Sequence, residues 1–440
     1  DGPIHVTRDN GATWTDVTPP NIGPHGRVQN VEVSPHDPAK AYATILRYQL
    51  GDFAPYAFRT EDYGQSWVRI TTGENGVPAD HPVRVVREDP DRQGLLYAGT
   101  EFGLFVSFDD GVRWQPLQLN LPVTPVSDIK VVNQDLILST MGRGFWILDD
   151  LTPLHELSRQ VALSDTHLFA VRDTYRLYGV RRFGGDPSPD EPKYPDPGAN
   201  IDYYLASDAA GEVRLEILDD TGRLVRSFSS ESVPKQSLPS SVRMNEWHLE
   251  AVGTAQLPKT AGIHRFVWDL RHAGPWDPLD SRSGRNGPMV VPGIFQARLT
   301  LGGWSNTQNF EVMVDPRVVD EGTASQANLE AQVRLGLEVR DALSDARFAA
   351  MKLDEARDGA PDQLLALLKE IKEALVTAPV RYSRPVIIDQ LSYLYSNLIR
   401  ADQQPGEDAF NRYQELNSML SDHIGRLEQL LQTNNFRGEN

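Results

Sequence analysis

Three aspartates occupy the same place in one recurring frame. "TRDNGATW" (7–14), "TEDYGQSW" (60–67) and "SFDDGVRW" (107–114) each read Ser/Thr, any residue, Asp, any, Gly, any, any, Trp. Asp9, Asp62 and Asp109 could be catalytic carboxylates, metal ligands or the anchors of turns. The residue types favour the turn. A carboxylate ahead of a glycine accepts nearby backbone N–H bonds, and the glycine supplies positive φ. The hydroxyl two residues earlier bonds locally, and the tryptophan offers a large surface for packing against a neighbour. Asp9, Gly11 and Trp14, with Asp62, Gly64 and Trp67 and with Asp109, Gly111 and Trp114, are therefore expected to be structural. No metal or cofactor is expected. The Asp-Gly pairs lack the spaced oxygen ligands of a calcium loop, and a chain without cysteine has no thiolate for zinc or for catalysis. H-E-x-x-H, P-loop and G-x-S-x-G frames are also missing from the sequence.

The elements that hold these turns follow from their spacing. The frame aspartates stand 53 and 47 residues apart, and a second marker keeps step, with Asp-Pro at 37–38 and 89–90 ahead of Tyr-Ala strands. One repeat contains four short strands, as in "VRVVRE", "LLYAGT", "LFVSF" and "RWQPL". A last unit, "DIKVV", "DLILST" and "GFWILDD", has no frame. Four strands in a repeat of this length predict a β-propeller blade. Residues 1–150 hold about three blades of a larger ring and start at the third strand of one, so earlier blades are expected on a preceding segment or a separate chain.

Blade topology then says where a ligand site belongs. Hairpins 1–2 and 3–4 of a blade open on one face, and the frames mark that face. Hairpin 2–3 and the blade-to-blade links open on the other. There the sequence places Arg47 and Tyr48, Glu101 and Phe102, and Met141 and Arg143, with His25, Arg27, His81 and Arg84 added from the links. Arg27, Arg47, Tyr48, Arg84, Glu101, Phe102 and Arg143 are the candidate ligand-binding residues. Arginine forks suit carboxylates and aromatic faces suit rings, so an acidic sugar or a polypeptide fits them. The competing reading is a set of loop charges and inter-blade ion pairs. A glycosidase needs two carboxylates flanking one bond, and only Glu101 can be named here. Arg27, Arg84 and Arg143 could imitate the arginine triad of a sialidase, without its tyrosine.

Beyond the ring, residues 151–200 form a connector that ends in the Pro/Gly-rich linker 183–200. From 201 to 316 the apolar period is two, which predicts an immunoglobulin-like β-sandwich, with polar insertions at 232–258 and 273–290. His264, in "GIHRFVWDLRH", reads as a strand residue. From 317 to 440 the period is helical and Pro361, Pro379, Pro385 and Pro405 mark breaks, which predicts an antiparallel helical bundle. The chain is thus expected to be multidomain and mainly β: a partial propeller, a sandwich and a bundle. With 61 acidic against 43 basic residues and a net charge of −18, it is a poor partner for nucleic acid. No apolar run reaches the roughly 20 residues of a membrane span.

The frames resemble the Asp-box of sialidases and sortilin-type receptors. "FRTEDYGQSW", "GRGFWILDDLTPLHEL", "RRFGGDPSPDEP" and "SYLYSNLIRADQQPGEDAFNRYQELN" make nearly the whole chain similar to bacterial sortilin/Vps10-like, BNR-repeat "glycosyl hydrolases". "EILDDTGRLVRSF" and "VPGIFQARLTL" resemble the Ig-like domain of flagellar-hook capping proteins. The resemblance implies a double-ring Asp-box propeller, an Ig-like domain, a helical tail and an extracytoplasmic location. Where that family often carries His-Gly-Arg this chain has Met141-Gly142-Arg143, so no histidine role is carried over. Two functions follow as expectations: an exported scaffold that binds polypeptide or glycan through the face opposite the boxes, or a polysaccharide hydrolase with catalytic residues partly on other blades.

Overall fold

The computed structural model describes residues 2–20, 22–178, 194–231, 256–279, 282–320, 324–357 and 360–433. The linker as far as residue 193, and the insertion from 232 to 255, lie outside the described residues. The described residues are mostly β with seven α-helices, and the chain divides into two compact units, Asp1–Leu157 and Ser158–Asn440.

The first unit is a series of small antiparallel sheets. β1 (His5–Val6) pairs with β2 (Thr15–Asp16). β3 (Arg27–Val33), β4 (Ala41–Leu46), β5 (Ala57–Thr60) and β6 (Val68–Arg69) form a four-stranded meander. β7 (Val83–Glu88), β8 (Leu96–Thr100), β9 (Gly103–Ser107) and β10 (Gln115–Pro116) repeat it. β11 (Val126–Val132), β12 (Asp135–Thr140) and β13 (Phe145–Leu148) make a three-stranded sheet, and the short helix α1 (Thr152–Glu156) ends the unit. The three Asp frames are the β1–β2, β5–β6 and β9–β10 connections.

Each frame is a turn with φ positive at both central residues, the demand of a type I′ hairpin. The φ values are 57° and 90° at Asn10-Gly11, 60° and 86° at Tyr63-Gly64, and 58° and 85° at Asp110-Gly111. The carboxylate closes it. Asp9 Oδ1 accepts from the Thr13 N–H at 2.8 Å, Asp62 Oδ1 from Ser66 at 2.8 Å and Asp109 Oδ1 from Arg113 at 2.8 Å. The Thr7, Thr60 and Ser107 hydroxyls each accept the glycine N–H, at 2.8, 2.8 and 2.9 Å.

The same turns join sheet to sheet. The Trp67 indole donates to Val17 O at 2.7 Å and the Trp114 indole to Ile70 O at 2.8 Å, each in the segment that follows the preceding sheet. The glycines allow that approach. A Cβ on Gly64 would lie 2.6 Å from Val17 Cβ, and one on Gly111 would lie 2.8 Å from Ile70 Cβ. Trp114 is 5% exposed, whereas Trp14, with no preceding sheet among the described residues, is 61% exposed. The apolar clusters have the same logic. Tyr42, Ala57 and Ile70 pack on Val83, Val86, Leu96 and Phe105, and Val85, Tyr97 and Leu104 pack on Val126, Ile129 and Leu136. The middle sheet is thus covered on both faces. Its neighbours each keep an open face, with Val31 and Val33 exposed on one side and Phe145 and Ile147 on the other. Stacked four-stranded sheets of this kind are consistent with part of a propeller.

The second unit begins with α2 (Arg159–Ala162), β14 (Thr166–Leu168) and β15 (Thr174–Arg176). Next come β16 (Ala199–Leu205), β17 (Val213–Asp219), β18 (Leu224–Ser229), β19 (Gly262–Trp268), β20 (Gly293–Leu301) and β21 (Trp304–Val314). They make two sheets, ordered β14-β16-β19 and β15-β21-β20-β17-β18, and β15 joins β21 in parallel. One apolar core lies between them. The fully buried Trp268 meets Phe295 at 5.6 Å and Phe310 at 6.1 Å between ring centroids. After α3 (Pro316–Asp320) come four longer helices: α4 (Gln326–Arg357), α5 (Asp362–Leu375), α6 (Ile387–Leu398) and α7 (Glu407–Thr433). Leucines and isoleucines at three- and four-residue steps, such as Leu364, Leu368, Ile371 and Leu375, bury one common core.

One sequence expectation changes. Segment 273–290 reads as a polar insertion, yet Ala273, Trp276, Met289 and Val290 are buried, and Trp276 meets Phe348 of α4 edge-on at 5.4 Å. Close approach of its two limbs explains the packing, because a Cβ on Gly274 would lie 1.7 Å from Arg285 O and one on Gly287 1.8 Å from His272 O.

The frame glycines give a test of the sheet-to-sheet contact. Alanine at either Gly11 or Gly111 bears the left-handed backbone penalty of about 1–2 kcal/mol, but only at Gly111 does the methyl also strike a neighbouring sheet, for about 1–3 kcal/mol more. Denaturant titration of Gly111→Ala should therefore show a clearly larger loss than Gly11→Ala. Equal losses would mean that the glycines serve the turn alone.

Candidate functional site

At the end of the first unit opposite the Asp turns, each of the three larger sheets carries the same irregularity. Its first strand shifts register by one residue, between Val28 and Asn30, between Val83 and Val85, and between Val126 and Asp128. The residues set into these bulges are Gln29, Arg84 and Ser127. A bulge redirects a side chain out of the strand's alternation. At the middle sheet it presents Arg84, whose Nη2 lies 2.6 Å from Glu101 Oε1 and whose guanidinium sits 5.9 Å from the centre of the Tyr48 ring. Glu101 comes from the β8–β9 turn and Tyr48 from the β4–β5 connection, so two successive sheets build the group. Phe102 follows Glu101 and stacks at 4.6 Å on His81, which is itself held by Asp80 at 2.8 Å.

Four of the seven candidates, Tyr48, Arg84, Glu101 and Phe102, thus belong to one cluster. The other three do not join it in the same way. Arg47 is drawn into its own connection, donating to Asp52 Oδ2 at 2.8 Å and to Pro24 O at 3.0 Å. Burial pushes the Asp52 carboxyl up, but the bonds from Arg47 and Tyr56 outweigh it and hold the pKa below the usual 3.8. Arg27 lies at the exposed start of β3, and Arg143 on the exposed β12–β13 turn beside Met141. Gln29 and Ser127 were invisible to a sequence reading because they share neither type nor even spacing with Arg84. Two polar atoms in the bulge positions, Gln29 Oε1 and Arg84 Nε, are buried without a hydrogen-bond partner among the described residues. Buried groups of this kind call for a ligand or water.

On the Asp-turn side the charged residues are used for structure. Asp110 accepts from Lys40 at 2.8 Å, Tyr42 at 2.9 Å and Arg59 at 2.8 Å, tying two sheets together, with Glu88 3.5 Å from Lys40. Asp89, of the second Asp-Pro marker, is fully buried. It accepts from the backbone of Asp91 and Arg92 at 2.8 and 3.1 Å, from the Tyr97 hydroxyl at 2.8 Å and lies 2.9 Å from His155 Nε2 of α1. Donor atoms of Asp89, Asp91 and His155 lie within 4.8 Å of one another, which is cation-like geometry, but both Asp89 oxygens are already engaged by protein donors.

These features define stacked propeller-type sheets with an Arg/Glu/aromatic cluster at the end away from the Asp turns. No protein-family description matches the chain, and no curated protein matches its sequence. Solved structures similar to it include PorZ, a surface component of the type-IX secretion system of Porphyromonas gingivalis, at 14% identity over 65% of this chain and 30% of that one, with a TM-score of 0.23. An ancestral GH74 enzyme is 12% identical over 70% and 38% of the two chains, with a TM-score of 0.26. The extracellular domain of a putative hybrid two-component system from B. thetaiotaomicron is 8% identical over 72% and 35%, at 0.24. The chain spans about a third of the length of these structures, and at such scores its fold rests on its own coordinates.

The lowered carboxyl pKa values of the Asp turns predict a loss of stability of the first unit in acid. Hydrogen bonds from Thr13 and Thr7 lower the Asp9 pKa from 3.8 to about 2, and the Ser66 hydroxyl and N–H lower that of Asp62. For Asp109 burial acts upward and the Arg113 bonds overcome it. A carboxylate with a lowered folded-state pKa adds stability above its unfolded value and loses it as pH falls through the folded one. Melts recorded from pH ~5 to ~2 should show stability falling across that window, less steeply in Asp109→Asn. A flat profile in the parent protein would contradict this account.

Proposed function

We propose that the protein is an exported, non-catalytic propeller scaffold that recognises a polypeptide or glycan through the face opposite its Asp turns. The observation that carries the reading is Arg84: set out by a bulge, paired to Glu101, flanked by Tyr48 and left with Nε unbonded. An arginine already oriented by a carboxylate and an aromatic face loses little freedom when it binds a carboxylate or carbonyl. The exposed faces of the outer sheets support completion of the ring by further blades outside this sequence. The organisation proposed is blades over 1–150, a connector over 151–200, an Ig-like sandwich over 201–316 and a helical bundle over 317–440. The exported location follows from the resemblance to Asp-box proteins.

A polysaccharide hydrolase would use two carboxylates about 5–10 Å apart, one protonated and one free. On this face Glu101 is bound to Arg84, Asp52 to Arg47 and Asp80 to His81, which favours positioning over proton transfer.

Arrays of neutral oligosaccharides and of peptides, probed with the protein and with Arg84→Gln and Glu101→Gln, test the reading. Ligands captured by the parent should bind at least about tenfold more weakly to both variants, measured at a temperature where circular dichroism shows each variant folded. Full retention of binding by both would remove this face from consideration, and turnover of any polysaccharide lost in Glu101→Gln would favour the hydrolase.

A further inference from the structure

The second unit holds a large cavity, about 1320 Å³, where segment 271–290 meets α4 and α6. Its walls carry five arginines, Arg271, Arg282, Arg285, Arg347 and Arg400, against the single carboxylate of Asp277. In a protein of net charge −18 such a concentration of one sign is built rather than incidental. Asp277 is already committed, 3.3 Å from Arg347. The guanidinium groups of Arg282, Arg285 and Arg400 have no hydrogen-bond or ion-pair acceptor among the described residues.

The frame around these arginines is hydrogen-bonded to the backbone of residues 272–287. Arg271 donates to Gly287 O at 2.8 Å and Arg347 to Trp276 O at 3.1 Å, while Tyr395 donates to Asn286 O at 2.7 Å. Behind them, the buried Arg340 holds Ala273 O at 3.2 Å and the buried Arg226 holds His272 O at 3.3 Å. Burial, with Arg340 and Arg226 adding repulsion, holds the His272 pKa down at about 3, so this neighbour of Arg271 stays neutral. The remaining lining mixes amide and hydroxyl groups, from Asn286, Asn397, Ser392 and Ser396, with the rings of Tyr178, Tyr393 and Tyr395 and the apolar side chains of Pro275, Leu343 and Ile399.

From this geometry we infer that the cavity binds an acidic oligosaccharide, its carboxylates taken by the arginines and its hydroxyls by the amide and serine groups. Arginine recognises carboxylates through paired N–H donors. The volume exceeds the roughly 300–1,000 Å³ of ordinary small-ligand sites, which suits more than one ring. The site lies in a different unit from Arg84 and stands independently of the face proposed above.

Calorimetry on the full chain tests it, with trigalacturonate as the acidic probe and maltotriose as the neutral one of equal length. Saturable binding of trigalacturonate, weakened by added salt, and none of maltotriose is the expected result. Arg285→Gln and Arg400→Gln change exposed side chains that have no hydrogen-bond acceptor among the described residues, and each should weaken binding roughly tenfold. Absence of saturable binding, equal affinity for maltotriose, or parent-like affinity in both arginine variants would overturn the inference. Tripolyphosphate binding more tightly than trigalacturonate would overturn its sugar component.

Discussion

At the two framed junctions of the first unit, sheet-to-sheet spacing depends on one kind of bond, the indole N–H of a frame tryptophan donating to a carbonyl that follows the preceding sheet. Trp67 reaches Val17 and Trp114 reaches Ile70. The bond is available only because the turn ahead of each indole lies flat against that same residue, and it lies flat because Gly64 and Gly111 have no Cβ. A short turn motif therefore does two jobs: it reverses the chain, and it sets the spacing of one sheet on the next. Burying an indole contributes about 1.5–3 kcal/mol in area alone, and a buried N–H left unbonded would forfeit about 1–3 kcal/mol of that. The carbonyl partner decides the balance.

What could be read from the residues was what is local. The Asp-x-Gly turn announces itself through positive φ and a carboxylate acceptor, and the four strands through alternation, so the order of sheets was legible as far as Leu148. The bulges were not. Gln29, Arg84 and Ser127 share a backbone event and no side-chain chemistry, and register shifts of this kind depend on pairing with a strand many residues away. The bonds that Arg47 makes to Asp52 and to Pro24 O were likewise not legible in the sequence. Segment 273–290 misled in the other direction. Its polar composition conceals Trp276, which is buried only because two glycines let the limbs touch.

Charge is distributed on a similar plan in both units. Charge enters the interior of both units in matched form, with arginines tying sheets or segments to carboxylates and carbonyls. Arg87, 8% exposed in its side chain, binds Glu32, Asp128 at 2.7 Å and Ile129 O at 2.8 Å, linking three successive sheets. Arg265 forks Asp202 across β16 and β19 at 2.8 and 2.9 Å, and Arg176 meets Asp402 in the second unit. Buried pairs of this sort add little net stability, since desolvation offsets attraction, but removing one partner costs about 3–5 kcal/mol. Their effect is on arrangement. An apolar sheet face tolerates sliding by a residue, whereas a fork with two or three fixed acceptors does not.

That rule separates the arginines that hold the fold from those that remain available. Arg87, Arg176 and Arg265 have each been matched with a carboxylate, so their charge is spent within the interior. Arg84 is matched at one nitrogen and open at another. Arg282, Arg285 and Arg400 hold no carboxylate among the described residues, although five like charges around one cavity repel one another. Repulsion among Arg271, Arg226 and Arg176 already adds to burial in lowering the pKa values of the last two. A fold that pairs its interior arginines so consistently, yet leaves this group uncompensated around a walled space, has concentrated there an electrostatic cost that a bound anion relieves.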